Sequence, residues 1–268
     1  MGPVRVSFVA DIHGNIDGLA RVAATAERLV VLGDLLDYVD YHDPARGILG
    51  GIFGADRVCH FAALRLAGRF AELHAYNLAL WAELADPQGT LAEIVATRYA
   101  EVVAAVPADT LLTLGNVDVA DAWNEVAGNT LPYLDGQVVE LAGRQFGFIA
   151  GGSARPGRPV LPSPDAVWQP LIRSASDYRA AVTAVGAVDV LCSHIPPRLA
   201  SLRYDLAPGR MEMYGPGLLE AIDTHRPEYA LFGHVHQPLA RRLRRGRTEC
   251  VNVGHFQRFP QPFVLDLD

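Results

Sequence analysis

What most constrains this chain is a strand ending that recurs. Five short apolar runs each stop at a residue able to bind a metal ion. VRVSFVA is followed by Asp11, RLVVLG by Asp34, TLLTLG by Asn116, VDVLCS by His194 and EYALFG by His234. The runs are rich in Val, Leu and Phe and lack clean alternation, as strands covered on both faces do. Helical patterns lie between them. Asn15 can cap a helix over residues 16 to 28, with Ile16, Leu19, Ala23 and Ala26 along one face. Residues 214 to 226 likewise place Leu218, Leu219 and Ile222 together. Strands alternating with helices imply an α/β layered fold.

Two stretches depart from that alternation. VVELAGRQFGFIAG, residues 138 to 151, reads as a hairpin turning near Gly143. LARRLRRGRTECVNV turns near Gly246, and FVLDL closes the fold. A mixed sheet, or two packed sheets, is therefore expected in place of one parallel sheet.

Residues 38 to 107 stand apart, because a simple crossover between the second and third runs needs far fewer residues. DYVDYHDPARGILGGIFG is irregular and Gly-rich; the remainder is helical over 58 to 85 and 89 to 106, with Pro87 and Gly89 between. We read one domain over 1 to 268 carrying this helical insertion. A cap over the site, a bundle on the flank and a dimer surface that would make the protein a homo-oligomer are all open.

The 268 residues allow a substantial core, and the net charge of −7 argues against nucleic acid or anionic membrane as general partners. Cys59, Cys192 and Cys250 form no C-x-x-C pair and read as reduced thiols. No apolar run reaches the length of a membrane span, and MGPVRVSFVADIHGN enters a strand pattern with no leader, so a cytoplasmic location is expected.

In open α/β sheets, ligands bind beyond the carboxyl ends of the strands. There the five endings would gather Asp11, His13, Asp34, Asn116, His194, His234 and His236. Oxygen and imidazole donors without thiolate suit Mn, Fe or Zn. Seven ligands are too many for one ion and suit two, bridged by a shared carboxylate. Singly, Asn116 reads as a turn residue and Asp11 as turn chemistry. Their joint occurrence in order removes most of that plain reading.

The order D-I-H-G-N, G-D-x-x-D, G-N-x-D, S-H-x-P-P, G-H-V-H resembles the calcineurin-like metallophosphoesterase family, from Asp11 to His236. The resemblance implies a four-layer αββα sandwich of two mixed sheets. It implies that Asp11, His13, Asp34 and His236 hold one metal ion, and Asp34, Asn116, His194 and His234 the other. It implies hydrolysis of phosphate esters by in-line attack of a metal-bridging hydroxide, with a small molecule or nucleotide as substrate. The competing class is a non-catalytic scaffold on the same fold.

Many members of that family carry His directly after the motif Asn, where it assists the leaving group. Here the residue is Val117, which cannot donate a proton. General-acid help is worth ~10²–10⁴-fold, so the expected substrates are phosphodiesters or activated monoesters. Asp118, the usual partner of that His, is a candidate catalytic residue; alternatively it caps the following helix, with Asp121 in the first turn. Asn252-Val253-Gly254-His255 stands where related enzymes have N-P-G-S. His255 is thus a second catalytic candidate, facing substrate as the replacement acid, against the plain reading of an exposed imidazole. His42, in DYVDYHDP, is a third candidate for that role. The cluster Arg241, Arg242, Arg244, Arg245 and Arg247 reads as charge guarding a sheet edge, with a polyanion such as RNA as the other reading.

Overall fold

Apolar runs with no alternation predict strands buried on both sides, and the computed structural model of the chain has that arrangement. It describes residues 3–157, 160, 166–203 and 213–267. Along the chain run β1 (Val4–Val9), α1 (Ile16–Ala23), β2 (Arg28–Leu32), α2 (Gly47–Phe53), α3 (Ala55–Leu66), α4 (Phe70–Trp81) and α5 (Pro87–Ala105). Then come β3 (Leu111–Thr113), α6 (Ala120–Ala127), β4 (Gln137–Leu141), β5 (Arg144–Ile149), β6 (Gly152–Ser153) and β7 (Ile172–Arg173). They are followed by α7 (Ala175–Val185), β8 (Val190–Ser193), α8 (Leu218–His225), β9 (Tyr229–Phe232), β10 (Arg242–Arg245), β11 (Thr248–Asn252) and β12 (Phe263–Leu267).

One sheet has the order β12-β1-β2-β3, with β1, β2 and β3 parallel and β12 antiparallel on the edge. β6 and β7 form a small parallel pair of their own, and the second large sheet has the order β10-β11-β9-β8-β5-β4. Its four inner strands are parallel, and the two hairpins add β10 and β4 antiparallel at its edges. Both sheets are mixed because the hairpins and the returning C-terminal strand can pair only in the antiparallel sense.

Side chains from successive strand positions sort into three apolar layers. Val6, Phe8, Val30 and Leu32 meet Phe146, Phe148, Leu231 and Val251 between the sheets. Val9, Val31 and Leu112 turn the other way, onto Leu19, Val95, Tyr99 and Trp123 of the helices. Ile149, Leu191 and Ala230 turn outward onto Tyr178, Val182, Leu218 and Ile222 of α7 and α8. The layers run helix, sheet, sheet, helix: an αββα sandwich. Each fully buried Leu or Phe contributes ~1.5–3 kcal/mol, which makes the double-faced burial of these short strands their main support.

Ala142 and Gly143 both have positive φ, 51° and 72°, as a two-residue hairpin connection requires. Asn15 does cap α1, accepting from Gly18 N at 3.0 Å. That helix ends at Ala23, short of the expected residue 28, because Arg28 to Val31 are paired with β1. The long helix expected over 58 to 85 is two, α3 and α4, broken at Gly68 with φ of 72°. Helix α5 begins at Pro87 behind an Asp86 cap and packs on α1 and α6, on the flank of the smaller sheet. Strand β10 is an outer edge, and its arginines are partly engaged: Arg245 with Asp223 at 2.5 Å, Arg242 Nε with Glu249 at 2.7 Å. Among the described residues no helix is long and apolar enough to cross a membrane.

Candidate metal centre

The parallel strands of both sheets deliver their carboxyl ends to one crevice, and the loops there are laced together by backbone bonds. Asp11 N donates to Gly33 O at 3.0 Å, His13 N to Asp34 O at 2.9 Å and Gly233 N to His194 O at 3.0 Å. The chain turns sharply at three of the five endings, Asp11, Asp34 and His234, and again at His13. Asp11, His13, Asp34 and His234 all have positive φ, 58°, 40°, 53° and 68°. Such conformations cost non-glycine residues ~1–3 kcal/mol each and gather where function requires them.

Glycine precedes three of the endings because nothing larger fits. A Cβ on Gly115 would lie 2.1 Å from Asp34 Oδ1, and one on Gly233 would lie 2.8 Å from Asp11 Oδ2. One on Gly33 would lie 2.3 Å from Gly115 N. These contacts press the Asp34 loop onto the Asn116 loop and the His234 loop onto Asp11.

The imidazoles are aimed by backbone carbonyls. His13 Nδ1 lies 2.9 Å from Leu36 O, and His194 Nδ1 lies 2.7 Å from Leu32 O. A carbonyl only accepts, so Nδ1 carries the hydrogen in both and Nε2 points into the crevice, as the carbonyl-backed histidines of metal sites do. His13 Nε2 comes within 3.2 Å of His236 Nε2. His194 Nε2 is 3.0 Å from Asn116 Oδ1 and 3.2 Å from Asp34 Oδ1. Asp11 Oδ1 and Oδ2 both accept from His234 N at 3.0 Å. Asp11, His13 and Asp34 offer ligand atoms within 4.8 Å of one another, as do Asp34, His194 and His234. Asp34 belongs to both groups. Donors that converge with lone pairs facing each other fit cations, and two such groups joined by one carboxylate fit two.

The electrostatics agree. Burial raises the Asp11 carboxyl to about 7, against the pull of His194. Burial also works against charge on Asp34, but His194 and His13 outweigh it and hold that carboxyl well below the usual range. His194, opposed by burial, is nonetheless lifted to about 9 by Asp34 and Asp11. Burial depresses His234 to about 3 and, with His13 and His255 alongside, depresses His236 further. A buried pair of carboxylates thus draws positive charge onto His194, where a cation would otherwise sit.

Asp118 does not cap the helix that follows it. The N-cap position of α6 is Val119 and makes no side-chain cap bond. Asp118 is fully buried: Oδ1 accepts from Leu35 N at 3.0 Å and Leu36 N at 3.2 Å, and Oδ2 from Gly115 N at 2.7 Å. Three backbone donors at hydrogen-bond distance outcompete a helix end. The carboxylate ties the Asp34 loop to the Asn116 loop.

His255 is not the exposed imidazole of the plain reading. It is 5% exposed and stacks on His236, ring centroids 3.8 Å apart and planes 12° apart. The crevice opens into a pocket of about 390 Å³ lined by His13, Asp34, Asn116, Val117, His234 and His236. Its lining also takes in the start of the insertion and α3, with Tyr38, Tyr41, His42 and Arg65, and Gln257, which donates to Asp40 at 3.3 Å. So the insertion divides, its first residues at the pocket and α5 on the flank. The sequence reading missed Arg65, Tyr41 and Gln257. The aromatic run after Asp34 was a usable signal for Tyr41, whereas only tertiary packing brings Arg65 there.

The calcineurin-like phosphoesterase family model matches residues 4–238, and the chain belongs to that family. A solved crystal structure resembles this fold with a TM-score of 0.60 at 16% identity, covering 99% of this chain and 100% of its own. Another, TT1561 of Thermus thermophilus, does so with a TM-score of 0.55 at 12% identity, covering 99% and 100%. No curated protein matches the sequence. Membership makes metal-dependent hydrolysis of phosphate esters the activity class of this fold and site.

Proposed function

We propose that this protein hydrolyses phosphodiesters or activated phosphomonoesters with two metal ions, Mn, Fe or Zn. The observation that carries the reading is Asp34, one carboxylate shared by two convergent donor groups. Asp11, His13, Asp34 and His236 would hold one ion; Asp34, Asn116, His194 and His234 would hold the other. The pair would supply a hydroxide nucleophile at neutral pH and neutralise charge on the phosphoryl oxygens.

The chain's own residues set the geometry. Asp118 positions Asp34 and Asn116 by gripping the backbone on both sides. Val117 N fixes Asp34 Oδ1 at 3.0 Å, and the Val117 side chain lines the pocket without offering a proton. His42, Arg65 and Gln257 put polar groups around the opening, suited to the non-bridging oxygens and leaving group of an ester. The volume falls within the ~300–1,000 Å³ of small-molecule sites, which favours a small ester or nucleotide over a polymer. A cytoplasmic setting agrees with three free cysteines.

The test is a metal-reconstituted assay of bis-p-nitrophenyl phosphate against p-nitrophenyl phosphate, then cyclic nucleotides. Faster diester turnover is expected. Clear preference for the monoester would overturn the diesterase reading, and tight metal binding without any hydrolysis would return the protein to the scaffold class.

A further inference from the structure

The insertion brings a fixed cation to the pocket. Among the described residues that line it, the one Lys or Arg is Arg65 of α3, and the one carboxylate is Asp34, itself a candidate ion ligand. In a chain of net charge −7 that is a local reversal of sign.

The side chain is seated before any substrate arrives. Helix α3 buries Val58, Phe61 and Leu64, the first two in the same apolar layer as Leu49 of α2 and Trp81 of α4. Arg65 Cζ lies 4.6 Å from the centroid of the Tyr41 ring, a cation over an aromatic face. The loop carrying Tyr41 is braced in turn. Tyr38 OH donates to Asn77 Oδ1 at 2.9 Å and accepts from Trp81 Nε1 at 3.0 Å. Asp40 Oδ1 accepts from His42 N at 2.8 Å and Asp43 N at 3.0 Å, and Oδ2 accepts from Gln257 Nε2 at 3.3 Å. Gln257 N itself donates to Asp11 O at 2.9 Å. The seat of the guanidinium is thus tied both to the insertion and to the loop of Asp11, which lowers the ordering cost of binding an anion there.

The charge is also within electrostatic range of the crevice: burial and His194 chiefly depress His234, and Arg65 adds to them. Two divalent ions set against the Asp11 and Asp34 carboxylates leave two positive charges, which match the one or two negative charges of a phosphoryl group. Arg65 exceeds that need and fits a further anion. A pocket of about 390 Å³ has room for an ester larger than its phosphoryl group.

We propose that Arg65, seated on Tyr41, binds a second anionic group of the substrate, a phosphate or carboxylate distinct from the phosphoryl group that is hydrolysed. This rests on the two-ion reading above and narrows its substrate class to phosphate esters that carry another anion. A planar guanidinium takes either group through paired N–H bonds, a geometry that lysine does not reproduce.

The test is calorimetric titration of the full-length, metal-loaded protein, with ion content measured in every sample. The ligands are alkanediol bisphosphates with spacers of about two to six carbons, phosphonocarboxylates of the same lengths, and alkyl phosphates of matching length. At one or more lengths the second anion is expected to tighten binding by about tenfold or more over the alkyl phosphate. Arg65→Met is expected to bring that ratio close to one, and Arg65→Lys to recover part of it. The series that shows the gain tells phosphate from carboxylate. Arg65 is exposed, so the Met variant should keep the fold, and circular dichroism checks that it does. With ions bound, no gain at any length, or a gain kept at every length in Arg65→Met, would overturn the proposal and leave the two-ion reading standing. Wild-type protein that takes up no ion would sink that reading, and the proposal with it.

Discussion

At the scale of single residues, Val117 stands where the sequence resemblance leads to the expectation of His. Its amide serves Asp34 and its side chain faces the pocket, so the position is suitably placed for a proton donor and lacks one. Val117→His is expected to raise turnover of monoesters with poor leaving groups by at least ~10-fold, approaching the ~10²–10⁴ range of general-acid catalysis, and to leave activated esters nearly unchanged. Rates across a series of leaving-group pKa values check this. Uniform rates in the variant and wild type would mean that the leaving group is served from elsewhere. Asp118 shows the limit of reading residues singly. Its spacing matched an N-cap, but both its oxygens are taken by donors from Gly115, Leu35 and Leu36, two of which belong to a segment some eighty positions away. No local pattern encodes that.

At the scale of elements, parallel strands deliver the candidate ligands and antiparallel hairpins finish the sheets. Both hairpins were legible because Gly143 and Gly246 interrupt β-prone runs where the backbone must take positive φ. The broken helix at Gly68 was not, since its flanks have nearly continuous helical composition. On β10, Arg242 and Arg244 are exposed on an unpaired edge. Replacing both, Arg242→Val with Arg244→Val, is expected to promote self-association, because an apolar edge offers unpaired backbone groups to another copy. Sedimentation velocity against wild type reads the outcome. An unchanged profile, in the same salt, would remove the guarding role and favour a binding role for the arginines.

At the scale of the whole molecule, buried charge and metal binding are one balance. In the metal-free protein Asp11 is protonated up to about pH 7 and His194 up to about pH 9. Both values lie above the ordinary 3.8 and 6.5, so the metal-free fold is favoured at low pH by these groups and loses that contribution as pH rises through about 7 and 9. Ligation requires both groups deprotonated. Metal uptake is therefore expected to release protons and to tighten with rising pH across that window. Calorimetric titration in buffers of different ionisation enthalpy measures the release; heats independent of buffer would contradict it.

The sequence by itself determined the candidate ligand types, their order and the strand endings that carry them, because metal chemistry admits few side chains and each follows a buried run. It also determined the absence of a donor at Val117. Only the tertiary structure decided which groups share Asp34, that Asp118 grips two loops, that Arg65 reaches the pocket and that His255 stacks on His236. These are contacts between segments far apart in the chain. They depend on how two twisted sheets pack, and that packing is set by the summed burial of many apolar side chains, not by any local run of residues.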